Sequence, residues 1–220
     1  MGRQSIFVTG GSGYIGSRLI PLLARRNHSI RALVRKGSER KLPADCMPVE
    51  GNALDRSTFV HHIDPAGTFI QLVGVSHPSP SKGEQFRAID LVSARESVAA
   101  AVEAGVTHFI YLSVAHPAPM MKDYIAVRSE GEFLLKASKL KGTILRPWYV
   151  LGPGHRWPYL LAPFYWIFER LPPTRASAQR LGLVSVQQML KALIHAVENP
   201  PSGIRIIEVP EIRALSRSIT

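Results

Sequence analysis

The 220-residue chain holds one cysteine, Cys46, and carries 27 Lys and Arg against 16 Asp and Glu, a formal net charge of +11. A lone cysteine excludes an internal disulfide framework and fits a reducing, cytoplasmic setting, and no run reaches the ~20 apolar residues of a membrane-spanning helix. The length suits a single α/β domain over residues 1–220, while the positive charge suits a phosphate-bearing ligand, nucleic acid or an anionic membrane surface. In chain order, Ser5-Ile6-Phe7-Val8-Thr9 reads as a short buried strand with no signal peptide before it, and Gly10-Gly11-Ser12-Gly13-Tyr14-Ile15-Gly16 follows at once. This GxxGxxG spacing lets the chain turn sharply, brings a pyrophosphate onto backbone N–H groups and packs a helix closely on the strand. Leu19, Ile20, Leu22 and Leu23 continue the helical pattern, and the helix N-terminus turns the positive end of its dipole to the phosphates.

Residues 30–34, 47–50 and 68–75 read as the second, third and fourth strands. A helix over 83–104 follows, with Phe86, Ile89, Val92 and Val98 as its apolar stripe and Gly105 as its C-cap. Residues 107–114 form the fifth strand, 124–139 a helix, 143–146 the start of the sixth strand, and 186–199 and 204–209 a last helix and strand. The alternation argues for a doubly wound parallel sheet with helices on both faces. Two Pro-rich loops, 76–81 and 115–119, leave the carboxyl ends of strands, where such sheets place their ligands. His77 and His116 lie on them as candidate acids or bases at neutral pH. No His/Cys/Asp cluster has metal-ligand spacing.

A carboxylate after the second strand of this architecture usually takes the adenosine ribose of NAD, whereas a basic residue there accommodates the extra phosphate of NADP. Here the segment is Val34-Arg35-Lys36-Gly37-Ser38. Arg35 is suited to stack on adenine and to pair bidentately with a phosphate, and Lys36 adds a donor, so NADP(H) is expected over NAD(H).

The chain resembles the short-chain dehydrogenase/reductase superfamily, in its extended and atypical branch of epimerase-like and NmrA-like proteins. The resemblance rests on residues 9–16, on Gly51-Asn52-Ala53-Leu54-Asp55, on Tyr111-Leu112-Ser113, on Tyr124-Ile125-Ala126-Val127-Arg128-Ser129-Glu130 and on Leu145-Arg146-Pro147. It implies a Rossmann-type α/β fold with a small C-terminal substrate-binding region. Asn52, with Ala53 beside it, takes the position that meets the adenine edge; Leu72, Val73 and Gly74 lie along the cofactor's ribose, and Pro147 borders the site. The family's Ser, Tyr and Lys fall on Ser113, Tyr124 and Arg128. In this pattern the Tyr is general acid or base, the cation lowers its pKa and grips the nicotinamide ribose, and the Ser polarises the substrate oxygen. Tyr124 and Arg128 stand four apart, about one helical turn. Arg in place of Lys keeps the positive charge, but a guanidinium does not give up its proton and is wider and planar.

Residues 148–182 read as an inserted, aromatic, substrate-side region, dense in Trp157, Tyr159, Phe164, Tyr165, Trp166 and Phe168. Three readings stand for it: a lid over an apolar pocket, a contact with a second copy or a partner subunit, and, less favoured, a membrane surface with Arg156, Arg170 and Arg175 nearby. The resemblance implies an NADP(H)-dependent oxidoreductase acting on a small apolar carbonyl or alcohol. Its rival is a dinucleotide-binding sensor or accessory subunit without turnover, similar to NmrA-like proteins or the Rossmann subunit of respiratory complex I. Nucleic-acid binding is prompted by charge alone and has no reading motif behind it.

Overall fold

Short apolar strands alternate with helices throughout the computed structural model, which describes residues 2–65, 67–153 and 179–218. The strands are β1 (Ser5–Thr9), β2 (Ser29–Val34), β3 (Met47–Glu50), β4 (Thr68–Gln71), β5 (His108–Leu112), β6 (Gly142–Arg146), β7 (Tyr149–Leu151), β8 (Leu183–Ser185) and β9 (Ile204–Glu208). Seven of them form one parallel sheet in the order β3-β2-β1-β4-β5-β6-β9. The chain steps outward from β1 to β3 and returns beside β1 with β4. That reversal opens a crevice at the carboxyl ends of β1 and β4, the place where open α/β sheets bind ligands. The doubly wound, Rossmann-like fold expected from the sequence is thus present.

The helices are α1 (Gly16–Ala24), α2 (Val92–Glu103), α3 (Lys122–Ala137), α4 (Val186–Glu198) and α5 (Val209–Ser218). They bury their apolar faces on both sides of the sheet. On one side Leu19, Ile20 and Leu23 of α1 and Met189, Leu193 and Val197 of α4 pack on Val8, Ile70 and Ile110. On the other, Ala94, Val98 and Ala101 of α2 and Leu135 of α3 pack on Phe7, Phe69 and Phe109. Those three phenylalanines share one register across β1, β4 and β5, with ring centroids 5.3 and 5.1 Å apart. Offset aromatic contacts of this kind hold the central strands aligned beneath the crevice. At the start of α4 the Ser185 hydroxyl accepts from the Gln188 amide at 3.1 Å and the Gln188 side chain accepts from the Ser185 amide at 2.9 Å, a capping box.

Several boundaries differ from expectation for physical reasons. The fourth strand ends at Gln71 rather than at 75, because the Val75 amide leaves the ladder and donates to the Asp90 carboxylate at 2.9 Å. The predicted helix over 83–104 is built from an α turn (Gly83–Gln85), a π-helical stretch (Phe86–Leu91) and α2. β7 and β8 pair as a separate small parallel sheet, and each is only three residues long, too short for periodicity to register. α5 follows β9 directly, with Pro210 in its first turn, a helix-start signal the sequence carried. Among the described residues no helix is long and apolar enough to cross a membrane.

His108, at the start of β5, is 2% exposed; its Nε2 pairs with Thr143 Oγ1 at 3.0 Å and its Nδ1 has no partner among the described residues. Burial pushes its pKa down from 6.5 to about 4. Below pH 6.5 the unfolded chain takes up a proton that the folded state refuses, so stability falls as the pH drops from 6.5 toward 4. The loss from this group is about 3 kcal/mol. Urea unfolding at pH 7 and pH 4 is expected to show His108→Gln losing that much less than the parent.

Candidate functional site

The glycine loop turns on Gly10, whose φ of +78° puts it in the left-handed region. A Cβ there would lie 2.7 Å from the Leu72 carbonyl carbon, so only glycine allows the loop to press against the end of β4. α1 then starts without a side-chain cap and without an acid in its first turn. Its N-terminal amides and the positive end of its dipole therefore suit an anion. The Arg18 guanidinium lies 4.2 Å over the Tyr14 ring and donates to the Tyr14 carbonyl at 2.7 Å, tying the loop to the helix.

A groove of about 490 Å³ runs along this loop, lined by Gly10, Ser12 and Gly13, by Leu72, Val73 and Gly74 after β4, and by Arg35, Asn52 and Ala53 after β2 and β3. Lys36 stands exposed at the same turn as Arg35 but does not line the groove. The Asn52 carboxamide oxygen accepts from the Leu54 amide at 3.1 Å, which leaves its NH₂ for a ligand. Lys82, not anticipated from the sequence, also lines the groove and donates to the Ser76 and His77 carbonyls at 2.9 and 3.0 Å.

An adjoining cavity of about 200 Å³ gathers Ile15, Ser113, Tyr124, Arg128 and Pro147 with Leu112, Val114, Met121 and Trp148. Tyr124 and Arg128 come from successive turns of α3, and the guanidinium lies 5.1 Å from the Tyr124 ring. Arg128 Nη2 pairs with Asp90 Oδ1 at 2.6 Å, with side chains 6% and 0% exposed, and Nη1 donates to the Leu112 carbonyl at 2.8 Å. The second Asp90 oxygen holds the Val75 amide. Burial raises the Asp90 carboxyl above its ordinary value, opposed by the Arg128 charge and the Val75 amide. A Cβ on Gly74 would collide with Arg128 Nη2, so the groove and the cavity meet at this contact. The Arg128 guanidinium is buried against the Tyr111 hydroxyl as well. The uncapped start of α1, the groove pressed close by Gly10, and the Arg35 and Arg128 cations that line the groove and the cavity fit a dinucleotide.

Ser113 sits at the end of β5 and donates its hydroxyl proton to Glu132 Oε1 at 2.7 Å. Glu132 is 2% exposed and is gripped by Arg146 through Nε at 2.8 Å and Nη2 at 2.6 Å. His116 Nε2 and Lys136 Nζ each stand 3.4 Å from its oxygens. Burial alone would raise the Glu132 carboxyl; the Arg146 guanidinium and the Ser113 hydroxyl outweigh it and hold the group below the usual carboxylate range. His77 is exposed, with φ of 50°.

Sequence reasoning named Ser113, Tyr124 and Arg128 but missed Asp90, Glu132 and Lys82. Glu132 had a signal: it follows Arg128 by one turn on the same helical face. Asp90 stands as the lone acid between Ile89 and Leu91, a sign of a buried charge awaiting a partner. Of the predicted region 148–182, residues 154–178 lie outside the described residues, and the aromatic stretch 157–168 with them.

The chain matches the NAD(P)H-binding family over residues 10–155. A ceramide reductase of Caulobacter vibrioides is 25% identical over 96% of this chain and 66% of its own length. A chloroplastic epimerase family protein of Arabidopsis thaliana is 27% identical over 90% of this chain and 63% of its own. The chain therefore spans less than two thirds of either of these curated relatives. Among solved structures, the enzyme WbmH of Bordetella bronchiseptica in complex with NAD+ superposes with a TM-score of 0.70 at 21% identity, covering 99% of this chain and 80% of that one. UDP-glucose 4-epimerase of Thermotoga maritima gives 0.67 at 18% identity over 97% and 82%. At these identities the structural likeness is one of fold.

Proposed function

Because the chain belongs to the NAD(P)H-binding family, within the extended short-chain dehydrogenase/reductase superfamily, we propose that it is an oxidoreductase acting on a small, apolar carbonyl or alcohol. The observation that carries this reading is Tyr124 and Arg128, one turn apart on α3, lining one cavity at the end of the dinucleotide groove. The dinucleotide, when bound, supplies or accepts the hydride. Its phosphates fit the glycine loop and the start of α1, and its nicotinamide ribose fits beside Arg128 in the cavity wall. Tyr124 exchanges the proton with the substrate oxygen, and the Arg128 guanidinium stands beside its ring. The guanidinium itself relays no proton. The apolar cavity walls exclude water and select an apolar substrate. The reductase among the relatives supports the same chemistry.

NADP(H) is the proposed form of the cofactor, on the ground that Arg35 lines the groove at the end of β2. Arg35→Ala is expected to weaken NADPH by about tenfold or more while leaving NADH nearly unchanged, measured by calorimetry.

One observation favours a second reading, a dinucleotide-binding sensor or accessory subunit: Arg128 and Ser113 are both tied into buried ion-pair networks. Cofactor-stripped protein, loaded with the reduced dinucleotide and challenged with a panel of aliphatic and aromatic carbonyls, separates the two. Consumption of the reduced cofactor supports the enzyme; tight binding without turnover supports the sensor.

A further inference from the structure

We infer that Glu132 sets the hydrogen-bonding polarity of the cavity, so that Ser113 presents it with an acceptor and the ligand group seated there is a hydroxyl. The inference rests on the oxidoreductase reading and narrows its substrate to the alcohol form. A serine hydroxyl has one proton and two lone pairs. That of Ser113 goes to Glu132 at 2.7 Å, the short distance of a charge-assisted bond. The carboxylate cannot turn away, because Arg146 holds both its oxygens and is itself tied through Nη1 to Glu208 at 3.2 Å. Rotating the Ser113 hydroxyl into the cavity therefore breaks a buried bond to a charge, and its outward side is a lone pair.

Among the described residues the other side-chain donors of the wall are the Tyr124 and Tyr149 hydroxyls, the Trp148 indole and the Arg128 guanidinium, and none of them changes which way Ser113 faces. Leu112, Val114, Met121, Pro147 and Val150 are apolar there. A ketone oxygen against Ser113 meets lone pair with lone pair, whereas an alcohol donates to it. A buried acceptor left without a donor is costly, which turns one matched hydrogen bond into a selectivity of about tenfold.

The test uses protein labelled with ¹³C at the methionine methyls and stripped of dinucleotide, with the Met121 methyl as the reporter. Cyclohexanol and cyclohexanone are titrated separately into the parent and into Ser113→Ala, a change that leaves Arg146 on Glu132. The expected result is cyclohexanol binding about tenfold more tightly than cyclohexanone in the parent, with the difference lost in Ser113→Ala. Equal or tighter binding of the ketone, a preference that survives in Ser113→Ala, or no response of Met121 to either compound would overturn the inference. An NADPH titration of the same preparation keeps the two readings apart. Failure to bind NADPH removes the oxidoreductase reading while the alcohol preference stays measurable, and NADPH binding without that preference removes only the inference.

Discussion

Replacing Tyr124 by Phe is expected to lower turnover by about 10²–10⁴-fold with dinucleotide affinity nearly unchanged. The ring is retained, so its tilted contact with Phe86, with centroids 4.9 Å apart, and its place beside the Arg128 guanidinium persist. Only the oxygen proposed to transfer the proton is lost. Steady-state kinetics on whichever carbonyl the panel identifies, or on the corresponding alcohol in the reverse direction, together with calorimetry for the cofactor, checks the split. A loss confined to cofactor affinity would make Tyr124 a binding residue only.

The second large effect is on stability. Asp90→Ala leaves the buried Arg128 guanidinium without its counter-charge and the Val75 amide without its acceptor. Breaking one side of a buried pair costs about 3–5 kcal/mol, against a total stability of roughly 5–15 kcal/mol for a domain. The double variant Asp90→Ala/Arg128→Met removes both charges and is expected to recover much of the loss, since two apolar groups leave nothing unpaired. Urea denaturation of the parent, both single variants and the double variant gives the coupling directly. A single-variant cost below about 1 kcal/mol would mean the pair is solvated and weak.

The same pair shows how far a sequence can be read. The glycine loop, the seven strands of the main sheet and the Tyr124 to Arg128 spacing are local patterns, written within a few residues of one another, and they were legible. Asp90 and Arg128 lie 38 positions apart and Glu132 and Arg146 lie 14 apart, so each pairing exists only once the sheet brings their elements together. The role of Ser113 turned on such a pairing: its proton was expected to face the substrate, and the fold gives it to Glu132. The π-helical stretch that carries Asp90 has no pattern of its own, because Phe86, Ile89 and Val92 read equally well as an α-helical stripe.

Titration of cofactor-stripped protein with NADPH, NADP+, NADH and NAD+ by calorimetry bears most directly on the dinucleotide site. Saturable binding with NADPH favoured over NADH is the predicted result, from the open start of α1 and from Arg35 in the groove wall. Absence of binding by all four forms would contradict it.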